Sequence, residues 1–173
     1  MKHKTSISSK QPDWSREKPV TGKYEPWKRL LRSIRRYQAL QNNGGLLARF
    51  IKPLTVLQHR FWSVVCGSDI PVNCQLGGGL MMPHPTGIVI HPEAEIGPNC
   101  MIFQQVTIGT GPLPGVPKID GHVDIGAGAR ILGGVNIGEH ARIGANAVVI
   151  RDVPAESIAV GIPARITGPG KAD

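Results

Sequence analysis

Acidic side chains are nearly missing from the first 68 residues of this 173-residue chain, where Asp13, Glu17 and Glu25 stand against 14 Lys and Arg. Aromatics are missing from the rest, with Phe103 alone after residue 68. Cysteine is sparse too. Cys66, Cys74 and Cys100 are too few and too scattered for a disulfide framework or a CxxC metal site, so reduced thiols are expected. No window approaches 18 uncharged apolar residues, which excludes a transmembrane helix, and the basic N-terminus lacks the apolar core of a secretory signal. A cytoplasmic address is the expectation.

What is present divides in two. Residues 1–68 carry a net charge of +11, and the remaining 105 carry −3, with 6 Lys and Arg against 9 Asp and Glu. The two compositions meet near Gly67–Asp69. Gly 22 and Pro 15 are high for this length and follow no collagen-like period, so they punctuate many turns.

The second part repeats every six residues. Ile119, Ile125, Ile131, Ile137, Ile143 and Val149 keep that step, as do Ile90, Ile96, Ile102 and Ile108. A looser set, Ile70, Leu76, Met82 and Ile88, precedes them. A small or β-branched residue stands two before the aliphatic (Ala94, Cys100, Val106, Val123, Ala129, Val135, Ala141, Ala147), and Gly follows it at 97, 109, 126, 138 and 144. Six is neither a helical nor a hairpin period. It suits a coil of three short strands whose aliphatic and preceding small residue both point inward, because alternate strand residues share a face. The glycines are expected at the bends, where positive φ is needed. Stacked coils would bury one continuous aliphatic column.

Two departures from the step matter. Ile108 to Ile119 spans eleven residues, and Gly109-Thr-Gly-Pro-Leu-Pro-Gly-Val-Pro-Lys118 between them cannot continue a ladder, so 109–118 is expected to be an extruded loop. A shift of two residues, from Ile88 to Ile90, falls beside Met82-Pro-His-Pro-Thr-Gly87. Before the coil, Leu47, Phe50, Ile51, Leu54, Leu57, Phe61, Val64 and Val65 predict an amphipathic helix over 46–65, stopped by Gly67 and kinked at Pro53. Trp27–Leu40 predicts a second, strongly basic helix, joined to the first by a turn at Asn42–Gly45. The expected organisation is a basic helical segment over 1–68, with 1–25 mobile, a coil over 69–167 and a frayed tail over 168–173.

Six histidines are candidate bases. His3 lies in the terminus, His59 faces water or its helical neighbours, and His91, His122 and His140 read as solvated bend residues. His84 stands apart, because a residue displaced from a regular coil can aim outward into a groove. Its imidazole suits proton transfer near neutral pH.

The ordered string GSDIP, HPTGIVIHPEAEIG, IFQQVTIGTG, PKI, IGAGARILGGVNIG, ARIGANAVVIRDVP and VGIPARI resembles the serine acetyltransferases, over about residues 46–167. The resemblance implies a mainly β fold, a left-handed parallel β-helix of hexapeptide repeats with a short N-terminal helical segment. The period alone leaves the hand open. It implies acetyl-CoA as co-substrate, no metal and a homotrimer. His84 matches the family's general base in His-x-Thr-Gly, and Asp69 the carboxylate that orients it, fifteen residues earlier. Gly109, Thr110 and Gly111 would lie along the pantetheine arm, and the backbone at Ala127 and Ala145 would hydrogen-bond coenzyme A. Lys118, Arg130 and Arg165 would be phosphate contacts, although a solvated surface role explains the arginines equally well.

The chain departs from the family pattern where the amino acid is recognised. Pro114–Lys118 lacks the Arg and His that hold the substrate carboxylate, and Pro83 replaces an aspartate that contacts the amine. A zwitterion's charges would be left unpaired there, which costs binding. On these losses a sugar or cell-surface saccharide precursor ranks first as acceptor, L-serine second, and a non-catalytic scaffold remains the reading from another class. The +11 segment has no nucleic-acid module and no basic–aromatic sheet pattern, so an acidic partner or a membrane surface suits it better than nucleic acid.

Overall fold

A computed structural model of the chain describes residues 7–42 and 45–169. His3, the centre of the 42–45 turn and the end of the tail lie outside the described residues.

From Asp69 the chain winds a prism. Its strands follow one another around three walls, and each pairs in parallel with the strand above and below it on the same wall. Wall 1 holds Val89–Ile90, Thr107–Gly109, Arg130–Leu132 and Val148–Val149, with Asp69 bridged to Val89 beneath them. Wall 2 holds Gln75–Leu76, Glu95–Ile96, Lys118–Ile119 and Asn136–Ile137. Wall 3 holds Met101–Ile102, Asp124–Ile125, Arg142–Ile143 and Ser157–Val160. The repeat explains the core: Ile102, Ile108, Ile125 and Ile131 are fully buried, and so are Ala94, Cys100, Val106, Val123, Ala129, Val135, Ala141 and Ala147 two residues before their aliphatics. The last coil is capped by an antiparallel pair, with Arg165–Pro169 folding back on Ser157–Val160. Gly168 and Pro169, expected in the frayed tail, thus belong to a strand.

The repeat glycines have a different cause from the one expected. Gly97, Gly126, Gly138 and Gly144 do not have positive φ; a Cβ on Gly97 would meet the Asp120 carbonyl carbon at 2.6 Å, and one on Gly126 the Ala145 nitrogen at 2.6 Å. They admit the backbone of the next layer. Positive φ falls at the turns two residues later, on Asn99, Gly128, His140 and Asn146.

Two helices precede the coil, α1 (Pro26–Asn42) and α2 (Leu46–Cys66), and α1 buries Trp27, Leu30, Leu31 and Ile34. α2 is oriented against expectation. Ala48, Thr55, His59 and Cys66 are buried, while Phe50, Leu54, Leu57, Phe61 and Val64 are exposed. The expected mobile arm is also different over its described part. Residues 7–17 run along the corner between walls 2 and 3, held chiefly by the buried Asn99. The Asn99 Nδ2 donates to the carbonyls of Ser8 and Gln11 (2.7 Å each), and its Oδ1 accepts from the Asp13 amide at 2.7 Å. Glu17 accepts from the Gly79 amide (2.8 Å) and pairs with Arg35 (2.8 Å), tying arm, coil and α1 together.

Candidate active site

Successive layers of one wall lie 18 residues apart where the repeat is regular, as in Arg130 beside Val148 and Lys118 beside Asn136. Two insertions break this count. Asp69 pairs with Val89 and Gln75 with Glu95, twenty apart, so two extra residues lie between Met81 and Val89. Thr107 pairs with Arg130, twenty-three apart, so five more follow Gly109. The first insertion carries His84 and stands where wall 3 turns into wall 1. The second is the extruded loop and stands where wall 1 turns into wall 2. Its ends, Gly109 and Lys118, are strand residues, so the loop itself is 110–117.

The end of α2 sets the His84 turn in place. Gly67 caps the helix at φ 61°, a left-handed conformation that glycine tolerates best, and its carbonyl accepts from the Gly87 amide at 2.7 Å. Two residues on, the Asp69 amide donates to Ile88 at 2.8 Å, and the Ile90 amide to Asp69 at 3.0 Å. The chain therefore places Asp69 one layer below Val89, with the His84 turn leading into that same strand. Gly87, three residues after His84, is thereby tied to Gly67, two residues before Asp69. Asp69 and His84 are both exposed, and among the described residues neither side chain is hydrogen-bonded to the other or to a third group. They are free to meet a substrate.

The other predicted positions divide between corners. Ala127 and Ala145 stack in the corner that carries His84, at the turns of the layers above it. The carbonyls of Thr86, Gln104 and Ala127 each accept from the next layer's turn amide (2.8–2.9 Å), whereas the Ala127 and Ala145 amides donate to no described residue. Those two N–H groups can receive a ligand carbonyl or hydroxyl. Gly109 ends its strand and Thr110 and Gly111 open the loop on the opposite corner of wall 1; the loop folds up over the next layer, where a Cβ on Gly133 would meet the Leu113 carbonyl oxygen at 2.9 Å. Lys118 is elsewhere: it lies on the outer face of wall 2, paired with Glu95 at 3.1 Å. Arg165 is exposed on the final antiparallel strand. Arg130 is exposed in the middle of wall 1, in register between Thr107 and Val148, and so between the two insertions.

Sequence reasoning missed two unpartnered polar atoms beside the His84 turn. The Ser68 hydroxyl and the Gln104 Oε1 are buried without a hydrogen bond. Their types carry no signal in a string of turns; only the folding of 67–69 against 87–89 brings Ser68 there. The other described histidines sit at packing contacts and bends. His59 is buried between α1 and α2, with Nδ1 3.1 Å from the Ser33 hydroxyl, and burial lowers its pKa. His122 and His140 stack in the corner between walls 2 and 3, their Nδ1 atoms 2.7 Å apart, and desolvation also lowers the His122 pKa. His91 accepts from the Glu93 amide at a bend.

No family model matches the chain. It is 37% identical over 158 residues to the serine acetyltransferase of Escherichia coli K12, across 90% of this chain and 58% of that protein. Among solved structures, it matches the Neisseria gonorrhoeae serine acetyltransferase in complex with serine at a TM-score of 0.70 and 36% identity, over 84% of this chain and 58% of that one. A serine acetyltransferase in complex with CoA matches equally well, at a TM-score of 0.70 and 36% identity over 83% and 57% of the two chains. The chain thus spans less than two thirds of the length of these relatives. By its repeat, its three-walled prism and these neighbours, the chain is a serine acetyltransferase-like member of the hexapeptide-repeat acyltransferase superfamily, with the left-handed β-helix of that group.

Proposed function

We propose that the chain transfers an acetyl group from acetyl-CoA to a hydroxyl, and that L-serine is the leading acceptor. The observation that carries this is the two-residue insertion that lifts His84 out of an otherwise regular coil, in a turn that leads into the strand paired with the exposed Asp69. His84 takes the proton of the attacking hydroxyl and returns it to the departing thiolate. Asp69 orients the imidazole and stabilises the imidazolium that forms between those events. The free Ala127 and Ala145 amides, stacked on the same corner, suit a chain of pantetheine amides laid along the prism. The acetyl thioester supplies the activated carbonyl.

The order of acceptors changes from the one read on local losses alone. Similarity to serine acetyltransferases extends over nine tenths of the chain, and it outweighs the missing charges at Pro83 and Pro114–Lys118. Lys118 is committed to Glu95 on another wall, so Arg130 is the cation best placed to hold a carboxylate or a phosphate on wall 1. Kinetics distinguish the two. Arg130→Ala should raise KM for serine if it holds the carboxylate and KM for acetyl-CoA if it holds a phosphate. The deciding measurement is CoA release with L-serine and with a panel of sugars. Turnover with sugars and none with serine would restore the saccharide reading.

Assembly belongs to the same proposal. The His84 turn and the 110–117 loop stand on opposite edges of wall 1, separated by a strand-and-turn stretch of roughly 20 Å. One prism does not bring them to a single point. A homotrimer, in which one copy's loop corner meets its neighbour's His84 corner, would complete the site.

A further inference from the structure

α2 carries an apolar stripe on the face opposite the one it buries. The buried face, with Ala48, Thr55, His59 and Cys66, lies against the fold. The stripe is Phe50, Leu54, Leu57, Phe61 and Val64, which are 77%, 65%, 64%, 59% and 82% exposed. Their steps of four, three, four and three keep them on one stripe, about 21 Å long at 1.5 Å per residue. The apolar stripe of an amphipathic helix is ordinarily the face that is covered, and an exposed patch of this continuity marks an interaction surface.

The charges beside the stripe say what covers it. From residue 26 to residue 68 there are eight Lys and Arg and no Asp or Glu. Arg49 and Arg60 are exposed on one flank of the stripe. On the other, Arg29 of α1 lies over the Trp62 ring at 5.1 Å, and Trp62 stacks edge-on against Phe61 at 5.0 Å. Arg29, Arg32 and Arg36 are all exposed at three- and four-residue spacing, so α1 presents a basic stripe of its own next to the apolar one. Pairing this face with the same face of a second copy would bring like charges together with no anion on either side to relieve them. A surface that is apolar beneath and anionic above meets both demands at once. Among the described residues no helix is long and apolar enough to cross a membrane, so the contact is one that lies on the surface.

We propose that α2 docks the protein on an anionic phospholipid bilayer, its Phe50–Val64 stripe entering the acyl boundary and the flanking arginines contacting lipid phosphates. The inference does not rest on the acetyl-transfer reading. The test is co-sedimentation of the full chain with phosphatidylcholine vesicles, with and without phosphatidylglycerol, beside light scattering without lipid. The expected result is binding that needs phosphatidylglycerol, weakens with salt and falls at least about tenfold in Leu54→Glu/Leu57→Glu. Arg29→Gln and Arg60→Gln should each cut partitioning by about fivefold. The two leucines are solvent-exposed, so the double variant should keep the melting temperature of the parent. Absence of binding to phosphatidylglycerol vesicles overturns the proposal. So does a smaller assembly for the double variant in light scattering, which would assign the stripe to a second copy.

Discussion

His84 and Asp69 are both exposed, so their substitutions should separate chemistry from folding. His84→Ala leaves an exposed turn and should melt as the parent does while losing roughly 10²–10⁴ in turnover, the usual worth of a general base. Steady-state rates within about threefold of the parent would remove it from the mechanism. Asp69→Asn keeps the backbone pairing to Val89 and should lower turnover less, with an altered pH–rate profile, if it acts through His84 as proposed. Burial sets other residues apart. It pushes the Cys100 and Cys74 thiols up to about 12 and Cys66 to about 11, so all three should resist alkylation in the native state. His59 makes a prediction about pH. Its folded pKa is lowered by burial, so the unfolded chain binds the extra proton more readily. Stability should therefore be full above the unfolded value, near 6.5, and fall as pH drops through 6.5 toward the lower folded value. Thermal melts of the parent and of His59→Gln over this range provide the check. A slope unchanged by the substitution would assign the effect to other groups, His122 first.

At the scale of elements, the coil is legible from its period but its corners are not. Inward and outward positions alternate along each short strand, so the hexapeptide states which side chains meet in the core. Whether a corner is bare or strapped depends on segments far away in sequence. The arm along the corner between walls 2 and 3 shows this, since Asn99 joins it to the coil across 86 to 91 residues of chain. Asn99→Gly keeps the left-handed backbone at φ 62° and removes the three side-chain hydrogen bonds. It should cost about 1–3 kcal/mol and expose Lys10, Arg16 and Lys18 to trypsin. Cleavage at the parent's rate would mean that Glu17 and its contacts hold the arm unaided. Core positions should behave differently. Ile131→Ala should cost about 2–5 kcal/mol, because the layers above and below it cannot collapse into the space.

For the whole molecule, the two insertions on opposite edges of wall 1 would, on the proposed reading, make assembly part of the chemistry. Light scattering should give a mass of three chains, and a stable active monomer would show that one prism suffices. Mixing offers a sharper check. If the site joins two copies, His84→Ala chains combined with chains shortened in the 110–117 loop should regain partial activity, which neither variant has alone. The two parts of the molecule also differ in charge, with the helical part at +11 and the coil at −3, so ionic strength should act on whatever the helices touch more than on the prism.

By itself the sequence determined the prism, its buried aliphatic column, both helices and the two places where the coil breaks step, because each follows from local period and turn chemistry. The string of motifs also singles out His84 and Asp69 as the residues proposed for the chemistry. Tertiary structure alone decided the rest. It set Asp69 one layer under the strand that His84 leads into, put the two insertions on opposite edges of one wall, carried Lys118 to another wall, and gave the repeat glycines to interlayer contact in place of positive φ. It also turned the apolar stripe of α2 outward. A period states which residues share a face; which face is buried depends on what packs against it, and for α2 that was decided by Ala48, Thr55, His59 and Cys66, whose smaller or hydrogen-bonding side chains let the helix approach the fold.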